Sequence, residues 1–275
     1  MANESLEVPP PPQVAIEVMR LISADLNDEG VADTSSAELV DLIQRDVALA
    51  GQVMRVANSA LYMRRAPVVT LPQAVAWLGM REIRTIAYAV AVQGQVFAST
   101  YFRREMNELW RESVITALFA QEIARLKGRN ADSAYLCGLL HRVGLAVVLG
   151  RVGAAALTHR LSPDAAVVMQ FSQEHEARVG AQLAQSWNLP PAVRASIAHW
   201  RDPLNATEWR TEVMEVALAR RISDEWRTPG IGGELPDSML GPVSLWMDEL
   251  SIYPDELFSI MAQRAAIYAT AESYT

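Results

Sequence analysis

The chain has 275 residues, 51% of them hydrophobic, enough to fill the core of one large or two modest domains, and no apolar run is read as reaching the roughly 20 residues that span a bilayer. With 32 acidic against 24 basic residues the net charge is −8, which argues against nucleic acid as a partner because phosphate binding needs a cationic surplus. The single Cys137 excludes an intrachain disulfide or a cysteine-based zinc site and reads as a small buried hydrophobe, and the start Met1-Ala2-Asn3-Glu4 lacks a secretory leader, so a soluble, cytoplasmic protein is expected.

After the run Pro9 to Pro12, which fixes an extended entry, Ala15, Val18, Met19, Ile22 and Leu26 recur at helical spacing and predict a first helix. Asn27 to Gly30 reads as a loop, and Ser35-Ser36-Ala37-Glu38 as a capping box that opens a helix carrying Leu39, Leu42 and Ile43. Asp46 caps the next helix, which runs through Leu49, Val53 and Val56 to Asn58-Ser59, where side chains that bond the local backbone end the pattern. Thr70-Leu71-Pro72 opens a short helix to Leu78, Gly79 suits its C-terminal cap, and a longer helix follows from Arg81 to about Phe97.

A helix from about Phe102 to Leu126 stops near Gly128, and the helix holding His141 follows. Ser162-Pro163 is predicted to start a helix to about Ser172, Glu174 to Trp187 to form another, and Leu189-Pro190-Pro191 to break the chain before a helix ending near Trp200. Thr207 to Trp226 reads as a long helix, Thr228 to Pro242 as a mobile loop rich in Gly and Pro, and Pro254 to about Ala271 as the last helix. No alternating apolar and polar run is bounded by hairpin turns, so the fold class is all-α. With no Gly or Pro linker near residues 98 to 105, two helical lobes are expected to share an interface there.

One stretch does not read as plain core. In Tyr135-Leu136-Cys137-Gly138-Leu139-Leu140-His141-Arg142-Val143-Gly144-Leu145 the apolar residues keep helical spacing, yet a His-Arg pair sits at the middle. Burying imidazole and guanidinium costs several kcal/mol unless each finds partners, so the helix should line a polar pocket or a paired ionic cluster. For His141 a metal ligand and a hydrogen-bonded core histidine are the competing readings, with the core histidine favoured because one imidazole beside a cation makes a poor cation site. For Arg142 an anion clamp competes with an internal ion pair to Glu112 or Glu176, the pair being favoured because buried charges are usually matched. Asn58 and Ser59 could shape a partner-binding turn or simply end a helix, and Arg64-Arg65 could add a basic patch for an acidic partner or nucleic acid, or be solvated.

The stretch resembles the Gly-Leu-Leu-His-Asp-x-Gly signature of HD-superfamily phosphohydrolases, with Arg142 where that family keeps a metal-binding aspartate. More of the chain is similar to the HDOD family, the HD-related output domains of bacterial signalling proteins. The match rests on Pro9 to Val14, Arg45-Asp46-Val47-Ala48-Leu49, Arg55-Val56-Ala57-Asn58-Ser59-Ala60-Leu61-Tyr62, Ala74-Val75-x-x-Leu78-Gly79-Met80-Arg81, Trp110-x-x-Ser113, Glu176-Ala177-Arg178-Val179-Gly180-Ala181 and Trp187-Asn188-Leu189-Pro190.

This resemblance implies a two-lobed helical HDOD unit over 9–203, with an N-lobe to about residue 100 and a degenerate HD-like lobe from about 101. Residues 204–275 would then be a helical extension packed on the HD-like lobe. It also implies that Glu112 and Glu176 stand at metal-ligand histidine positions, that His141 alone survives, and that His199 lies near the family's His-His pair. The expected function is non-enzymatic signal transduction through a partner protein or signalling ligand, with no catalytic residue, metal, cofactor or membrane contact. The rivals are a metal-dependent phosphohydrolase acting on a nucleotide or cyclic dinucleotide, and a nucleotide receptor using Arg142.

Overall fold

A computed structural model describes residues 8–26, 32–63, 66–225 and 242–274. Every regular element among them is helical, as the periodicity predicts. The first half holds α1 (Gln13–Leu26), α2 (Ala32–Arg45), α3 (Val47–Ala57), α4 (Leu71–Leu78) and α5 (Met80–Val96). The second opens with α6 (Arg103–Leu126), α7 (Ala131–Leu140), α8 (Val143–His159), α9 (Ala165–Ser186) and α10 (Pro191–His199). After a 3-10 turn at Pro203–Asn205 come α11 (Arg210–Glu225), α12 (Pro242–Leu250), α13 (Pro254–Ala262) and α14 (Arg264–Glu272).

The longest helix, α6, is the axis of the second half: α7, α11, α13 and α14 all pack on it, while α8 pairs with α9 and α10 closes against α7 and α9. Its sequence explains that position, since Trp110, Val114, Leu118, Phe119 and Ile123 are fully buried together with Ser113, Thr116 and Gln121. In the first half α5 plays the same part, covered by α1, α3 and α4. Side-chain caps open two of these helices: Asp46 accepts from the amides of Ala48 and Leu49 at the start of α3, and Thr70 from that of Gln73 at the start of α4. Gly79, at φ 85°, turns the chain from α4 into α5.

Several expectations need correction. Ser35-Ser36-Ala37-Glu38 is not a cap, because α2 already begins at Ala32. The helices expected at 162–172 and 174–187 are one, α9, since Asp164 provides the N-cap and nothing in Ser172-Gln173-Glu174 breaks the backbone. The final helix is two, α13 and α14, meeting at Gln263, while α12 begins at the last residue of the expected loop and fills a stretch for which no element was predicted. The helix expected from Thr207 begins at Arg210, after Trp209 at φ 54°. The span Ala131–His159 is in fact long and apolar enough to cross a bilayer, but 89% of its apolar window lies buried in the core. The loop at Asn27 to Gly30 and most of the one at Thr228 to Pro242 lie outside the described residues.

Candidate functional site

His141 and Arg142 are not in mid-helix, as the apolar spacing suggested. They form the corner between α7 and α8, with His141 as the C-cap of one and Arg142 as the N-cap of the other. Two glycines let neighbouring helices close on this corner. A Cβ at Gly138 would lie 2.6 Å from the Cα of Ala117 on α6, and one at Gly144 would lie 2.0 Å from the Glu176 carbonyl oxygen on α9. Side chains at these positions would push α6 and α9 away, so the glycines are what bring Glu112 of α6 and Glu176 of α9 within reach of Arg142.

Arg142 Nη1 donates to Glu112 Oε2 at 2.9 Å, and its Nε lies 3.4 Å from Glu176 Oε1. Two further arginines share these carboxylates. Arg220 of α11 lies 3.2 Å from Glu112 Oε2 and 2.6 Å from Asp224, and Arg201 pairs closely with Glu176. The side chains of Arg142, Glu112 and Glu176 are 10%, 11% and 3% exposed, so the core of the cluster is nearly dry, whereas Arg201 at 51% reaches solvent. Trp200 closes the group: its ring lies under the Arg201 guanidinium at 4.2 Å, near that of Arg142 at 5.9 Å, and edge-on to the His141 ring at 4.9 Å.

His141 is fully buried, and its Nδ1–H donates to the Gly138 carbonyl at 2.6 Å. Burial, followed by the Arg220 and Arg142 cations, holds its pKa well below the ordinary histidine range, so the ring is neutral. The cluster forms one wall of an open cleft of about 390 Å³, whose rim carries Glu105, Glu108, Arg201 and Asp224. The structure thus brings together four of the five residues singled out for the pocket: Glu112, His141, Arg142 and Glu176. His199, half-buried at the end of α10, takes no part in these ion pairs or ring contacts.

Three members were missed from sequence. Trp200 and Arg201 follow His199 with no motif of their own, and Arg220 lies beyond the last recognisable motif. The only signal for Arg220 is the kind that exposed Arg142, an arginine inside an apolar helical pattern, here Val216-Ala217-Leu218-Ala219-Arg220.

The turn after α3 is engaged within the chain. Asn58 Nδ2 donates to the carbonyls of Met54 (3.0 Å) and Val68 (2.9 Å), while its Oδ1 accepts from the Val68 amide at 2.8 Å. Buried Ser59 donates to Thr270 Oγ1 of α14 at 3.1 Å. Both side chains brace the fold, in keeping with the structural reading, and leave little of themselves for a partner. Arg64 and Arg65 lie outside the described residues. Cys137 is buried, as expected, and burial pushes its thiol up to about 12.

A family model described as the HDOD domain matches residues 8–203. A relative from Treponema pallidum (strain Nichols), an uncharacterized protein, is 28% identical over 80% of this chain and 42% of its own length, so the chain spans less than half of that relative. Among solved structures, an HDOD domain protein with unknown function from Geobacter sulfurreducens is similar with a TM-score of 0.73 at 22% identity, over 98% of this chain and 94% of that one. A candidate metal-dependent phosphohydrolase from Shewanella amazonensis SB2B gives 0.71 at 23% identity, over 99% and 94%. A candidate signal transduction protein from Marinobacter aquaeolei VT8 gives 0.69 at 22%, over 98% and 60%.

Proposed function

The chain belongs to the HDOD family, and from that premise we propose that it is a non-enzymatic, cytoplasmic regulatory protein of bacterial signal transduction, acting by binding a partner protein or signalling ligand. The observation that carries the reading is the charge pattern at the α7–α8 corner. A divalent ion bound where HD phosphohydrolases hold theirs would sit among three guanidinium groups, with the Nε2 of His141 as its one neutral ligand, since Nδ1–H donates to a backbone carbonyl. The carboxylates it would need are neutralised by those arginines. This donor set does not fit a divalent metal, whose binding depends on several converging ligands with unspent negative charge. Among the described residues no group of three or more His, Cys, Asp or Glu could hold one.

An anionic nucleotide is less well served, because Arg142 is paired to Glu112 and Glu176 inside the protein and would have to exchange those partners for phosphate. The same reading takes residues 9–203 as a two-lobed HDOD unit divided near residue 100, with 204–275 as an extension; the packing of α11, α13 and α14 on α6 supports it. The test is metal analysis of the purified protein, with phosphate-ester hydrolysis assayed before and after loading with Mn²⁺ or Mg²⁺. The expected result is no stoichiometric metal and no chelator-sensitive turnover. Metal retained at the His141 corner together with turnover abolished by chelation overturns the proposal.

A further inference from the structure

From Val47 to Arg81 the chain carries no Asp or Glu but four arginines, Arg55, Arg64, Arg65 and Arg81, although the whole chain is acidic at −8. Within this stretch α4, Leu71-Pro72-Gln73-Ala74-Val75-Ala76-Trp77-Leu78, has no charged residue, yet buries only Leu71 and Ala74. A surface helix ordinarily turns a polar face outward, and the one polar side chain of this helix is that of exposed Gln73. Its Trp77 (39%) is exposed, as are Met63 (51%) and Val69 (75%) on the segment that leads into it.

Hydrogen bonds tie all three to the turn that follows α3, where the Met63 amide itself donates to the Ser59 carbonyl at 2.8 Å. The Trp77 indole N–H donates to the Tyr62 carbonyl at 3.3 Å, which fixes it beside Met63. The paired hydrogen bonds from Asn58 hold Val68, and with it Val69, against the end of α3. Arg55, on the last turn of α3, and Arg81, at the start of α5, are both exposed, on the two helices against which α4 packs.

We infer that this face is a docking surface for an acidic amphipathic segment of a partner protein, with apolar anchors on Met63, Val69 and Trp77 and carboxylates toward Arg55 and Arg81. The inference deepens the partner-binding function proposed above and rests on it. Exposed apolar side chains on an uncharged helix, with arginines on the two helices it packs against, fit apolar anchors flanked by carboxylates. A bilayer or a nucleic acid is less well matched. Either would span a whole face of a protein with net charge −8, whereas a short peptide feels only the charges within a Debye length, about 8–10 Å.

The probe is a displayed library of random peptides panned on the full chain, followed by affinity measurements on the best synthetic binder. The expected binder joins aromatic or aliphatic anchors to carboxylates, and loses at least about tenfold in affinity with Arg55→Glu/Arg81→Glu and, separately, with Val69→Asp. Melting curves of these variants should match the wild type, since every substituted side chain is exposed. The inference is overturned if no peptide is enriched, if the binders lack acidic residues, or if both variants keep wild-type affinity. Binding of phosphatidylglycerol vesicles in place of any peptide overturns it too. Failure of the underlying reading looks different: chelator-sensitive phosphate-ester hydrolysis would remove the non-enzymatic function, whatever the peptides do.

Discussion

Replacing Arg142 by methionine tests the corner most directly, because methionine keeps the length of the side chain and removes only its charge and donors. Breaking a buried pair by deleting one partner costs about 3–5 kcal/mol when the remaining charge is stranded. Here neither carboxylate is fully stranded: Glu112 keeps Arg220 at 3.2 Å, and Glu176 keeps Arg201. Arg201 is half in solvent, so the attraction it supplies is partly screened, and the expected loss is reduced to about 2–3 kcal/mol. The control is Arg45→Met on α2, where the arginine is 74% exposed and paired to Asp41; it should cost less than about 0.5 kcal/mol. Urea unfolding at pH 7 reads both, provided the slope is unchanged so that the midpoint shift reports stability. If Arg142→Met unfolds at the same urea concentration as Arg45→Met, the arginine does not carry the charge balance of the corner and the reasoning fails.

Other outcomes follow from the same geometry. His141 is neutral when folded and protonates near pH 6.5 when unfolded, so its contribution is present above that pH and lost as pH falls, by at most about 1.4 kcal/mol per unit; urea midpoints from pH 7.5 to 5 should fall less steeply in His141→Asn than in the wild type, and equal slopes would refute this. Gly144→Ala should lose about 3 kcal/mol or fail to fold, because its Cβ meets α9 backbone that cannot move aside; an unchanged thermal midpoint would show that α8 and α9 can separate. Thr270→Val removes the acceptor for the Leu61 amide (2.9 Å) and the Ser59 hydroxyl, and should cost about 1–3 kcal/mol in the same urea assay. Cys137 should resist a thiol reagent at pH 8 until the protein unfolds, so that fast labelling of the native protein would contradict its burial.

Helix order was readable along the chain because its signals are local. Asp46, Thr70 and Gly79 act on backbone a few residues away, and their caps are found where the residues stand. The errors arose where an equally good local signal met a stronger one. Ser35 could cap a helix, but the backbone was already helical from Ala32; Ser162-Pro163 could start one, but Asp164, with a carboxylate accepting from two amides, holds the N-terminus instead. The ion pair at Arg142 could be anticipated from charge types alone, since a buried cation requires buried anions and Glu112 and Glu176 occupied neighbouring ligand positions in the resemblance. Arg201 and Arg220 could not, because nothing local says which of many arginines on α10–α11 reaches the corner.

What decides that question is backbone proximity. Gly138 and Gly144 stand three residues before and two after the His-Arg pair, one against α6 and the other against α9. With both helices in backbone contact, the space at the corner is too narrow for the carboxylates to be solvated, so each must be met by a cation from within the chain. One guanidinium between two carboxylates leaves a net negative charge in a nearly dry site, and that deficit is what draws Arg220 from α11 and Arg201 from the end of α10. Both therefore tie later elements of the chain to the same corner. The order of dependence can be checked: Arg220→Met should weaken the protein more in an Arg142→Met background than alone, because Glu112 then loses both of these guanidinium groups. Additive losses from the two substitutions would mean that the arginines serve separate carboxylates and that the corner is not one electrostatic unit.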